Sequence, residues 1–257
     1  EKVLGYFCGV TLVQLNYRQK NNGMYILSKQ DIDDISAAVL TEYSPKNLLN
    51  AIPLDTVDLL ENYLGLTVKR KYIGTVDSEI LGLTVMDDYA EIPSYDDMLR
   101  PVVLEETYGT VLINPNLAGR ASLTRRRFTE MHEGAHFILH KEYFNSTHKG
   151  RGTRLNYIAC RQVELERINP RGRMEWLEWQ ADSLAAALLM PRNIFIIAAA
   201  DSFKKHGIYD KKCFNTDIPE ERVMISCVAS ELSKTFQVSC KAAKLRLKNL
   251  GFLQGRI

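Results

Sequence analysis

Two histidines and a glutamate in the run MHEGAH carry the sharpest chemical meaning in this chain. His132, Glu133 and His136 form the pattern HExxH inside RRRFTEMHEGAHFILH, a stretch with helical periodicity. Residues four apart on an α-helix lie about 40° apart around the axis and roughly 6 Å along it, so both imidazoles can reach one metal ion. Glu133 is turned about 100° from His132, where its carboxylate faces a water at the metal instead of the metal itself, which is the place of a general base. Histidine is scarce, at five in 257 residues. An accidental HExxH is therefore roughly a one-in-a-hundred event, and a third ligand decides the matter.

A catalytic zinc ion takes three protein ligands, and two histidines with one glutamate are an established set. Glu178 and Asp182 stand four apart in MEWLEWQADSLAAALLMP. Glu178 can complete the set around one catalytic zinc or another divalent metal, and Asp182, one turn on, can accept a hydrogen bond from a ligand histidine and fix its tautomer. Glu175 is a rival ligand; Glu178 is preferred because it alone has an acid four residues later. His140 falls on the HExxH face, but the third histidine of the extended pattern belongs at position 142, which is Glu142. His140 therefore reads as a buried, hydrogen-bonded histidine.

The elements that must hold these residues follow from periodicity. DIDDISAAVLTEY and LDTVDLLENYLG each carry an apolar stripe at helical spacing, the second ending before Gly65. LTVKRKYIG, ILGLTVM and TYGTVLINP read as strands of a small sheet. Phe128, Met131, Ala135 and Leu139 give the HExxH helix an apolar face, with Ser122 or Thr124 as its cap. Ala181, Ala185 and Ala186 would let the second helix come close to it. That helix ends at Met190, and Pro191 can open another. Residues 145–173 read as a basic, loop-rich insertion acting as a lid, with YIACRQVELERI as a helical piece. ERVMISCVASELSKTFQVSCKAAKLRLKNLGFL reads as two helices about a turn at FQVS. The expected class is α+β: an extension at 1–27, a mainly helical domain with a small sheet at 28–205, and a C-terminal helical subdomain at 206–257.

Composition excludes several classes. A net charge of +2, from 33 basic and 31 acidic residues, gives no field over the whole molecule to favour nucleic acid. Five cysteines, odd in number and never spaced CxxC, fit reduced thiols in the cytoplasm. No apolar run is long enough for a membrane helix, so no membrane partner is expected. Residues 232–250 offer a local exception. Leu232, Phe236, Val238, Ala243 and Leu247 suit a helix-turn-helix core, and Lys241, Lys244, Arg246 and Lys248 suit a basic outer face that could touch DNA weakly. A structural helical pair is the competing reading, because Gln237 sits where a tight turn often takes Gly.

RRRFTEMHEGAHFILH followed by EWQADSLAAALLMP resembles the ImmA/IrrE family of metallopeptidases, with weaker similarity in IPSYDDM and GTVLINPNL, over roughly Asp31 to Met190. The resemblance implies a zincin-like domain in which His132, His136 and Glu178 bind zinc and Glu133 is the catalytic base. The family commonly has Asn where Asp182 stands, and the 42 residues from His136 to Glu178 are a long interval. The resemblance further implies a protein substrate, a helix-turn-helix repressor of a mobile element or stress regulon. The alternative is a regulator that binds DNA or a partner and uses zinc only for stability; an intact Glu133 argues against it, since a structural site needs no base.

Overall fold

Ser28 opens the first helix by a reciprocal cap. Its hydroxyl accepts from the Asp31 amide at 3.1 Å, and the Asp31 carboxylate accepts from the Ser28 amide at 2.7 Å. Helix α1 (Lys29–Tyr43) then buries Ile32, Ile35, Val39 and Leu40, the stripe expected from spacing. The protein is seen here as a computed structural model that describes residues 14–75, 78–147, 157–160, 172–209, 211 and 213–255.

The second apolar stripe departs from regular α geometry. Asp55 caps a single turn, Thr56–Asp58, that continues as a π-helical turn over Leu59–Tyr63, closed by the Leu64 amide on the Leu59 carbonyl at 3.0 Å. The turn drives Leu60 against the HExxH helix, α2 (Leu123–Thr147). A β-carbon on Gly134 would stand 2.7 Å from Leu60 Cδ2, so a larger residue inside HEGAH would push the end of the Leu60 side chain aside.

Between these elements lies the expected sheet. Strand β1 (Thr67–Arg70) runs parallel to β5 (Thr110–Ile113), and β5 runs antiparallel to β2 (Gly82–Val85). Strand β6 (Tyr157–Cys160) pairs antiparallel with β2, Leu83 opposite Ala159. This corrects the helix expected over YIACRQVELERI: its first four residues extend the sheet, and the remainder of that expectation, like the lid and residues 1–13, lies outside the described residues. A hairpin not anticipated from the sequence, β3 (Ala90–Tyr95) and β4 (Pro101–Glu106), covers the sheet face opposite α2. Leu83, Val85, Ala90, Ile92 and Leu112 form the small core there.

Helix α3 (Arg173–Leu189) packs along α2, with Ala181 and Ala185 fully buried and Ala186 half-buried. Pro191 then opens α4 (Arg192–Lys205). No single helix among the described residues is long and apolar enough to cross a membrane; residues 174–205 reach that length and composition only as a pair bent by 61°.

The last two helices, α5 (Pro219–Phe236) and α6 (Cys240–Asn249), form the expected pair about a turn. Gln237 adopts φ +52°, the left-handed conformation glycine favours, while its carbonyl accepts from Arg127 Nε of α2 at 3.1 Å. Leu232, Phe236, Val238, Ala243 and Leu247 are all buried as expected. The basic outer face differs from expectation at one of its four residues, with Lys241 exposed and Lys244 and Lys248 half-buried. Arg246 is buried, donating to Asp33 of α1 at 2.6 Å and to the Met190 carbonyl at 3.1 Å. Lys244 donates to Ser226 and Lys248 to the Gly255 carbonyl.

Removing one partner of a buried ion pair leaves the other uncompensated, and Arg192, 3.2 Å from Asp33 but 42% exposed, replaces Arg246 only in part. Arg246→Met should therefore lower unfolding stability by about 3 kcal/mol. Urea titration checks this, and a loss under 1 kcal/mol would show that the pair is dispensable.

Candidate metal centre

Helix α2 directs His132 and His136 into one space, with ring centroids 4.6 Å apart and planes at 77°. Their Nε2 atoms are 2.9 Å apart. From α3, Glu178 brings Oε2 to 3.3 Å from His132 Nε2 and Oε1 to 3.5 Å from His136 Nε2. Among the described residues, His132, His136 and Glu178 form a group whose potential ligand atoms all lie within 4.8 Å of one another. Both histidines are buried, while Glu178 and Asp182 are each 14% exposed, so the space opens to solvent along the α3 side.

Each predicted residue takes a distinct place. Asp182 Oδ1 is 2.8 Å from His132 Nδ1. A carboxylate can only accept, so Nδ1 carries the hydrogen and, in the neutral ring, Nε2 keeps its lone pair. Glu175 is away from the cluster: it accepts from the Gly172 amide at 3.2 Å and caps α3. His140 is buried, its Nδ1 2.9 Å from His136 Nδ1 and its Nε2 3.0 Å from Gln180 Oε1. Tyr143 is core, edge-on to Phe144.

Glu133 points to the sheet side. Its Oε2 accepts from the Thr84 hydroxyl at 2.7 Å, and its Oε1 is buried with no hydrogen-bond partner. Gly82 permits this approach, for a β-carbon there would stand 2.7 Å from Oε1 and 2.6 Å from Thr129 Cγ2. Burial pushes the Glu133 carboxyl up to about 8; His132 and the Thr84 bond pull the other way without overcoming it. A divalent cation held by His132, His136 and Glu178 would pull the carboxyl back down, towards the carboxylate that a general base must be. Sequence reasoning missed Gly82, Thr84, Gln180 and the Tyr25 carbonyl. The signal available was a glycine and a threonine on one face of an apolar strand, and a glutamine at a core position of α3.

The arrangement is a two-helix candidate metal centre of two imidazoles and a carboxylate, with a buried carboxyl beside it and a small sheet behind. Residues 95–248 match the Peptidase_M78 family model, described as the IrrE N-terminal-like domain, and the chain belongs to this family. The match starts after the first helices and runs to residue 248, into the last helix. No curated protein matches the chain. Membership supports a metallopeptidase-family function, and the His132, His136 and Glu178 cluster could hold the metal that such peptidases generally need.

The titrations oppose each other in the metal-free chain. Folded Glu133 keeps a proton that the unfolded carboxyl, near 4.5, has lost, so its contribution to stability falls as pH rises from about 5 to 8. Burial lowers His136 far below its ordinary 6.5 and His140 to about 4, so folded stability is lost as pH drops below 6.5, where the unfolded rings take up protons. Metal-free protein should melt highest near pH 6.5, and Glu133→Gln should remove the decline between 6.5 and 8. Melting curves across pH on chelator-treated protein check this.

Proposed function

We propose that this chain is a zinc-dependent endopeptidase with a zincin-like domain, acting inside the cell on a protein substrate. The observation that carries the reading is the convergence of His132 Nε2, His136 Nε2 and the Glu178 carboxylate in one small space, with Asp182 behind His132. A carboxylate 3.3 Å from an imidazole lone pair repels it unless a cation stands between them. The donor set, two neutral nitrogens and one carboxylate, suits zinc, and the three protein ligands leave a fourth position for water or substrate.

When bound, the zinc ion supplies Lewis-acid polarisation of the scissile carbonyl and of the attacking water. The chain's residues do the rest. Glu133 receives the water proton at Oε1, the oxygen that Thr84 leaves open, and passes it to the amine that departs. Thr84 holds the other oxygen and so aims the carboxyl. Asp182 keeps the His132 hydrogen on Nδ1. Substrate enters from the α3 side, where Glu178 and Asp182 meet solvent.

The target we infer is a helix-turn-helix repressor of a mobile element or stress regulon, on the strength of the family resemblance. The C-terminal pair resembles a helix-turn-helix in its sequence of helices and turn. Its chemistry supports a structural task better than DNA binding, because Arg246 faces Asp33 and not solvent.

Glu133→Gln should retain stoichiometric metal and lose about 100- to 10,000-fold in peptide hydrolysis. His132→Ala and Glu178→Ala should both lose the metal. Elemental analysis, with mass spectrometry of a candidate helix-turn-helix repressor after incubation with the zinc-loaded chain, reads both outcomes. A correctly folded wild-type chain that takes up no divalent ion would sink the proposal.

A further inference from the structure

The direction of the hydrogen bonds behind His136 is decided at their far end. Tyr25 offers a backbone carbonyl, which can only accept, and Gln180 Nε2 lies 2.9 Å from it. The amide nitrogen of Gln180 is thereby committed, and its oxygen is left facing His140 Nε2 at 3.0 Å. That oxygen too can only accept. Nε2 of the buried, neutral His140 therefore carries the hydrogen, and Nδ1 carries the lone pair. His136 Nδ1, 2.9 Å from that lone pair, must donate. The sole remaining lone pair on the His136 ring is on Nε2, the atom that faces His132 and Glu178.

We propose that Gln180 and His140 are positioning residues of the metal centre, forming with the Tyr25 carbonyl a one-way relay that locks His136 in the tautomer whose Nε2 can bind a metal. The proposal rests on the metal-centre reading given above. His136, His140 and Gln180 are fully buried and Tyr25 is 6% exposed, so bulk water does not compete for these bonds and no link can reverse alone. Met24 and Leu27 are buried near Tyr25, and an antiparallel bridge pairs Tyr25 with Gln19. The segment that precedes α1 thus becomes part of the support of the site, although it lies over 100 residues from the ligands in sequence.

The two ligand histidines are consequently backed in different ways. Behind His132 stands a carboxylate at the solvent edge; behind His136 stands a neutral, buried relay ending on main chain. A carboxylate raises the basicity of the imidazole it holds, whereas the relay chiefly fixes orientation and tautomer. Removing the relay should therefore scramble the tautomer without adding or removing charge.

The test uses the full chain, zinc competition against a chelator, and two-bond nitrogen–hydrogen NMR spectra of the histidine rings in metal-free protein. Wild type should show His136 protonated on Nδ1 and His140 on Nε2. Gln180→Met, similar in volume and unable to accept from His140, should give mixed tautomers of His136 and weaken zinc binding by about 10- to 100-fold. Gln180→Glu, which still accepts from His140, should keep the wild-type tautomer. Unchanged tautomer and unchanged zinc affinity in a folded Gln180→Met overturn the relay and leave the metal centre standing. Should Gln180→Met not fold, the wild-type spectrum decides alone: hydrogen on His136 Nε2 overturns the proposal. A wild-type chain that shows the relay tautomer but binds no zinc overturns the metal-centre reading instead.

Discussion

Four electron-rich groups, two imidazole edges and two carboxylates, are brought by α2 and α3 into a space buried on the α2 side and open to solvent only along α3. Concentrating such groups is costly unless each is hydrogen-bonded or neutralised by a cation. The surrounding structure can be read as the means of tolerating that concentration. Asp182 and His140 occupy the outer nitrogens of the two rings, and Ala181 and Ala185 remove the bulk that would keep the helices apart. Gly134, within the motif itself, lets Leu60 of the π-helical turn brace α2 from its other side.

The sheet serves the same end through its register. Side chains alternate along β2, so Gly82 and Thr84 face Glu133 while Leu83 and Val85 enter the small core under the β3–β4 hairpin. A slip of one residue would put Leu83 against the carboxyl and expose the wrong face to each core. The hairpin is remote from His132, His136 and Glu178, yet by giving Leu83 and Val85 a place to go it helps decide which atoms touch Glu133. Glu133 is buried as a consequence, and burial is the largest cause of its raised pKa.

What could be read from sequence was whatever local geometry decides. Four-residue spacing on a helix fixes the relation of His132 to His136 and of Glu178 to Asp182 whatever the rest of the chain does. The failures involve partners distant in sequence. Tyr157–Cys160 is extended because β2 offers an unpaired edge, which overrides any helical tendency of YIACRQ. Arg246 carries the same charge as its neighbours Lys244 and Lys248, and only the presence of Asp33 opposite shows that it points inward. Gln180 sits in a helix pattern that tolerates polar residues, and nothing near it in sequence announces Tyr25.

The turn of the C-terminal pair bears on what that pair is for. Left-handed backbone at a residue other than glycine costs about 1 kcal/mol or more, and the Gln237 carbonyl is held in that turn by Arg127, five residues before His132 on the same helix. Arg246 meanwhile binds the Met190 carbonyl at the end of α3. The pair therefore grips α2 near its start and α3 at its finish, the two helices that carry His132, His136 and Glu178. A DNA-reading unit would need its cations free and its outer face clear. Here Arg246 is committed to Asp33 and the Met190 carbonyl while Lys241 stays exposed, so the bond that ties the pair to α3 uses one of its four cations.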